Sequence, residues 1–255
     1  MTDVNGTVAA IRTGLESNLI VHDEQVVFQG DDEAHFTVIQ ANVSLGNVED
    51  GNAAGLIDTK SELDEEAELD AESAESEANA DLDVEGNRRV HPIFFAQVNG
   101  GQPGAVCIAV HDGRLLLARH WRIATDSFEW EFPRSMGAPG EVSGATAERE
   151  LETEAGVKAT SRRLLQMMYA DTCKLRDSIA VVELAVDSES LDEAGVLADG
   201  SLAGLDDLDG VTLAWLTPEE IDTMIAEGNI MDGITLAAYL IWKTRREADE
   251  AVEGE

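Results

Sequence analysis

Glu150 and Glu154 stand four residues apart in the run Trp130–Val157, WEFPRSMGAPGEVSGATAERELETEAGV. If that run is helical, their carboxylates share one face. Two carboxylates rising from one helical turn, beside a Pro/Gly-rich loop, offer hard oxygen ligands. Mg²⁺ uses such a pair and keeps waters or substrate phosphates for the rest of its shell. Arg149 adjoins the pair and can orient a carboxylate through charge-assisted hydrogen bonds. The competing reading is a solvated acidic helix face. The five histidines, His22, His35, His91, His111 and His120, have no metal-ligand spacing and read as surface or strand residues. No G-x-x-x-x-G-K-[ST] run occurs, which excludes nucleoside-triphosphate hydrolysis of the P-loop type.

The elements around the pair must hold it in place. Ser143–Ala155 has good helix formers, and Gly156 occupies the usual stop position. Ala147, Leu151 and Ala155 form an apolar stripe able to pack on a sheet. Strands are expected at Val90–Val98, Ala105–Val110, Arg114–Ala118, Ser178–Val186 and Val211–Leu216. Turns are expected at Asn99-Gly100-Gly101 and His111-Asp112-Gly113. Gln25–Phe28 and His35–Gln40 read as a hairpin around Gly30-Asp31-Asp32. Pro218 opens one helix, and Ile234–Arg245 forms another.

Charge sets the chain's outer limits. With 17 Lys and Arg against 52 Asp and Glu, its 255 residues carry a formal charge of −35. Phosphate surfaces repel such a chain, so generic binding to nucleic acid or to an anionic membrane is excluded. The bases are not spread evenly. Arg114–Arg176 holds ten of them against nine acids, a locally neutral stretch suited to an anionic substrate with its metal. Chance clustering is the alternative explanation. By contrast, Asn47–Asn87 holds 15 acids, one base and no aromatic residue. It reads as a solvated, disordered insertion or as an acidic interaction arm. Cys107 and Cys173 form neither a disulfide framework nor a zinc pattern and read as reduced, half-buried thiols. The longest apolar stretch, Ile234–Trp242, falls far short of the ~20 residues a membrane span needs. The N-terminus has no signal-peptide pattern. The expected location is cytoplasmic.

The stretch from Ser135 to Val157 resembles the Nudix box, G-x5-E-x7-R-E-U-x-E-E-x-G-U with U aliphatic. Glu141, Arg149, Glu150, Leu151, Glu154, Gly156 and Val157 match seven of its nine defined positions in register. Ser135 replaces the first Gly, and Thr153 replaces the first Glu of the EE pair. Leu115–Arg122, LLLARHWR, and Ala214–Gly233 resemble the flanking strands and helices of the ADP-ribose pyrophosphatase-like branch. The hairpin at Gln25–Gln40 is similar to the small N-terminal sheet of that branch.

The resemblance implies an α/β fold, an α/β/α sandwich around a mixed sheet with a small N-terminal β-hairpin or sheet. Together with the charge pattern, it divides the chain into an N-terminal β extension (1–46), the acidic insertion (47–87), the hydrolase domain (88–246) and an acidic tail (247–255). It implies Mg²⁺- or Mn²⁺-dependent hydrolysis of the diphosphate linkage of ADP-ribose or a related nucleotide sugar, giving two monophosphates. Glu150 and Glu154 would hold the metal, Arg149 would position Glu150, and the Arg134 carbonyl would assist. With Thr153 in place of a carboxylate, the remaining pair suffices for one ion. The base would come from the loop Ser201–Gly210, which offers Asp206, Asp207 and Asp209, with Asp207 as the candidate. Arg122 would bind phosphate. Phe28 could stack on a nucleobase or pack within its hairpin. The partner is a nucleotide-type small molecule, and the assembly a homodimer. The alternative is a catalytically weakened Nudix-fold nucleotide-binding or regulatory protein.

Overall fold

Strand β4 (Gly104–His111) and strand β5 (Arg114–Arg122) are apolar on both faces. Strands with that pattern belong inside a layered α/β structure. A computed structural model of the chain describes residues 19–30, 36–45, 90–194 and 212–253. It divides into two units, one of residues 1–29 and 38–95, the other of residues 30–37 and 96–255.

The larger unit is built on a seven-stranded mixed sheet. Its main path runs β10 (Thr212–Leu216), β5, β4, β9 (Ile179–Ala185), β8 (Ser161–Met168). Short strands β6 (Ser127–Glu131) and β7 (Arg134–Met136) pair with β5 and β4 respectively. The β4–β9 pair is parallel, and the other pairs are antiparallel.

Period-two alternation sends Cys107, Ala109, Leu116 and Ala118 to one face. There they meet Ala147, Leu151 and Ala155 of helix α1 (Ser143–Ala155) in one fully buried cluster. Val106, Ile108, Leu115 and Leu117 go to the other face, against helices α3 (Pro218–Ala226) and α4 (Gly233–Glu253). A short helix α2 (Ser188–Ala194) follows β9. The result is the expected α/β/α sandwich. Fully burying a side chain such as Leu151 stabilises the layer contact by roughly 1.5–3 kcal/mol.

Helix α1 stops where expected, with Gly156 at φ 67°. That left-handed conformation suits a residue lacking Cβ. Helix α3 starts with Pro218 and a capping box in which Thr217 and Glu220 satisfy each other's backbone N–H groups.

In the other unit, β1 (Leu19–Gln29), β2 (Phe36–Leu45) and β3 (His91–Val98) form a three-stranded sheet in that order. The expected hairpin is there, but its strands are longer and β3 joins it. Residues 31–35 and the acidic stretch 47–87 lie outside the described residues.

Three further findings differ from the sequence reading. Cys107 is buried and Cys173 exposed, so neither thiol is half-buried. Cys107 lies on a central strand, whereas Cys173 sits in the β8–β9 connection. Strands β6, β7 and β8 also form where no strand was expected. They are short or carry charged residues, and sheet pairing specifies them more than local propensity does. Finally, α4 continues into the acidic residues 247–253. Arg246 Nε donates to Glu250 Oε1 at 2.9 Å, and Arg163 Nη1 of β8 reaches Asp249 Oδ2 at 2.6 Å, so this last stretch is tied down.

Candidate active site

The site begins at Glu141, in the loop that leads into α1. Its carboxylate accepts from Arg149 Nε at 3.1 Å, Arg149 Nη2 at 3.0 Å, the Ala138 N–H at 2.9 Å and the Thr146 hydroxyl at 3.0 Å. The Arg149 guanidinium, ahead of the other donors, holds the Glu141 carboxyl down to about 2. Arg149 Nη2 also donates to the Met136 carbonyl at 3.1 Å. Arg149 therefore stitches the loop after β7 onto the helix. A Cβ on Gly137 would stand 2.6 Å from the Pro103 carbonyl oxygen, so only glycine fits there.

Glu150 is buried and Glu154 half-buried. Burial pushes the Glu150 carboxyl up, the Ser135 hydroxyl opposes by hydrogen-bonding it, and the Glu154 charge adds to the rise. Glu154 Oε1 lies 3.6 Å from His120 Nε2. Its other oxygen, Oε2, is buried and has no hydrogen-bond partner among the described residues. An unsatisfied buried carboxylate oxygen costs about 1–3 kcal/mol or more. A divalent cation would satisfy it, and the donor set of two carboxylates suits one hard ion. Among the described residues no group of three or more His, Cys, Asp and Glu gathers into a complete cage. Thr153 explains part of this. It is exposed, and its hydroxyl donates back to the Arg149 carbonyl at 2.7 Å.

Ser135 sits in β7 opposite Ala105 of β4 and is not among the residues with positive φ. Its departure from glycine therefore brings no left-handed strain. It also faces a cavity of about 480 Å³ lined by Arg122, Arg134, Met136, Gln102, Asp177 and Ser178, among others.

Arg122 and Arg134 share Glu131, which is 1% exposed. Arg122 Nε donates to Oε1 at 2.8 Å and its Nη2 pairs with Oε2. Arg134 Nη2 lies 3.0 Å from the same Oε2 and 3.4 Å from Asp232 Oδ1. The forked edge of Arg122, expected to meet phosphate, is thus occupied by Glu131. The bases concentrated between Arg114 and Arg176 are largely spent this way, since Arg162 also pairs with Glu148 at 2.6 Å. The local neutrality is in good part internal.

Residues 101–233 match the sequence profile described as the NUDIX domain. That match spans just over half of the chain. The chain belongs to the Nudix hydrolase family. A solved structure described as the crystal structure of an ADP compounds hydrolase aligns with a TM-score of 0.57 at 15% identity, covering 92% of this chain and 97% of that one. That likeness is one of fold. No curated protein matches in sequence.

Within this Nudix hydrolase, the structure brings Arg149, Glu150 and Glu154 together on α1, and Arg122 lines the neighbouring cavity. Asp206, Asp207 and Asp209 lie outside the described residues. Phe28 belongs to the N-terminal sheet and is 55% exposed, so it does not fill a hairpin core. Sequence reasoning missed three side-chain partnerships. Glu141 was only a motif position, yet it is Arg149's principal partner. His120 has no metal spacing in sequence, and only the β5 register carries it to Glu154. Arg134 joins Arg122 on Glu131 through the turn between β6 and β7, which the sequence did not signal. No helix among the described residues is long and apolar enough to cross a membrane.

Proposed function

We propose that this Nudix hydrolase cleaves the diphosphate linkage of a nucleoside diphosphate derivative, ADP-ribose or a related nucleotide sugar, to two monophosphates with Mg²⁺ or Mn²⁺. The observation that carries this reading is the buried, unpartnered Oε2 of Glu154 beside Glu150. Glu150 and Glu154 would hold the ion, with the Arg134 carbonyl alongside. Bound there, it would neutralise diphosphate charge and generate the attacking hydroxide. Arg149, locked by Glu141, keeps the loop and helix at one spacing, so the two glutamates stay aimed at one point. Arg122 and Arg134 line the cavity, where their N–H groups not taken by Glu131 would meet phosphate oxygens of the substrate. The cavity's volume suits part of a nucleotide sugar. Asp207 is the proposed base that takes the proton of the attacking water.

The exposed apolar side chains of β1 and β3, among them Val26, Phe28 and Phe94, support a homodimer formed through the N-terminal sheet. A monomer mass by light scattering at micromolar concentration would contradict this assembly.

The test of function is a panel of nucleotide sugars and dinucleotides, with products resolved by ³¹P NMR. Paired monophosphates support the reading. Thr153 favours one second reading, a weakened enzyme that binds nucleotide as a regulator. Tight binding of a panel member without turnover would select it.

A further inference from the structure

His120 has no role in the account so far, yet its side chain is 15% exposed and aimed at Glu154, itself 19% exposed. It comes from the end of β5, on the same sheet face as Ala118, which packs in the α1 cluster. Across the ladder it faces Glu129 of β6. The two oxygens of Glu154 have different surroundings. Oε1 lies 3.6 Å from His120 Nε2, and Oε2 is buried with no partner among the described residues. At 3.6 Å the two atoms are in close polar contact, about half an ångström beyond a full hydrogen bond. Residue 153 offers no help, because Thr153 is turned back to the Arg149 carbonyl.

We infer that His120 is a positioning residue for the metal site: it seats Glu154 by engaging Oε1 from the β5 side and so leaves Oε2 as the oxygen presented to the cation. This rests on the metal-site reading above. A carboxylate free to rotate on α1 would exchange its two oxygens and lose affinity through the ordering needed on binding. A histidine donor on the adjacent strand removes that freedom before the ion arrives. With one carboxylate fewer than the family's box provides, this chain depends more on each remaining ligand being held.

The test is Mn²⁺ binding to the metal-free full chain, followed by the EPR signal of free Mn²⁺, with melting temperature recorded for every variant. His120→Ala removes the donor, His120→Leu removes it while keeping bulk, and His120→Gln supplies an amide donor of similar reach. Partners that orient metal ligands typically contribute 10–100-fold to affinity. The expected result is Mn²⁺ affinity at least about 10-fold weaker in Ala and Leu and within about threefold of wild type in Gln. Turnover of Ala and Leu at saturating Mn²⁺ should return most of the way, so the defect lies in metal affinity. If any folded Ala or Leu variant keeps wild-type affinity within about twofold, or Gln is as weak as Leu, His120 does not position Glu154. If the wild type itself binds no Mn²⁺, the metal-site reading fails first.

Discussion

Glu141→Gln tests whether the Arg149–Glu141 lock holds the site together. The substitution keeps shape and removes the charge that accepts four hydrogen bonds. A carboxyl held at about 2 instead of the usual 4.5 sets a ceiling of about 3 kcal/mol on its contribution at neutral pH. Arg149 is 42% exposed, so solvent screening reduces this, and we expect a loss of ~1–2 kcal/mol. The sign follows from the depressed value. The stabilisation is fully present above the unfolded carboxyl's pKa of 4.5, and it fades as pH falls toward 2. Urea melts of wild type and variant should therefore differ at pH 7 and converge near pH 3, with under about half the difference remaining. Activity should fall by about 10-fold, because a freed Arg149 no longer fixes the loop after β7. Equal urea midpoints at pH 7, or a difference that persists unchanged to pH 3, would refute the lock.

Other substitutions probe neighbouring parts of the site. Glu154→Gln should lower metal-dependent turnover by at least ~100-fold while leaving the melting temperature of the metal-free protein unchanged or slightly raised. A variant with full turnover would remove Glu154 from the site. Thr153→Glu should tighten Mn²⁺ binding measured by EPR and lower metal-free stability by about 0.5 kcal/mol through like-charge repulsion on the helix. Near-neutral behaviour in both assays would mark residue 153 as plain helix surface. Arg122→Ala should cost about 2–3 kcal/mol in urea melts, since Glu131 is buried and would retain only Arg134 nearby. Arg122→Lys should recover only part of this, because an ammonium lacks the fork. Wild-type stability in Arg122→Ala would mean that the Arg122–Glu131 pair has no structural duty.

Much of this architecture was legible in the residues. Ser143–Ala155 announced itself by its apolar stripe and its Gly156 stop, and β4 and β5 by runs apolar on both faces. The box spacing put Arg149, Glu150 and Glu154 on one helix. Strand β8, SRRLLQMM, escaped because its alternation is blurred: one face carries Arg162 and Leu164, the other Arg163, and a bulge shifts the register between Leu164 and Gln166. The side-chain partners escaped for a related reason. Glu141 meets Arg149 and His120 meets Glu154 through folding of a loop and a strand onto a helix, and local spacing carries no trace of that. Arg122 was recognised as a cation near the site, but its pairing with Glu131 is a long side-chain reach along the β5–β6 hairpin, since Arg122 stands opposite Ser127 and Glu131 opposite Ala118.

The most direct measurement is hydrolysis of ADP-ribose and related nucleotide sugars followed by ³¹P NMR, with Mg²⁺ or Mn²⁺, with EDTA, and with the Glu154→Gln chain in parallel. Two monophosphate signals should grow only in the metal-supplied wild type. Turnover that survives EDTA and the loss of the Glu154 charge, or no cleavage of any diphosphate in the panel by the metal-supplied wild type, would contradict it.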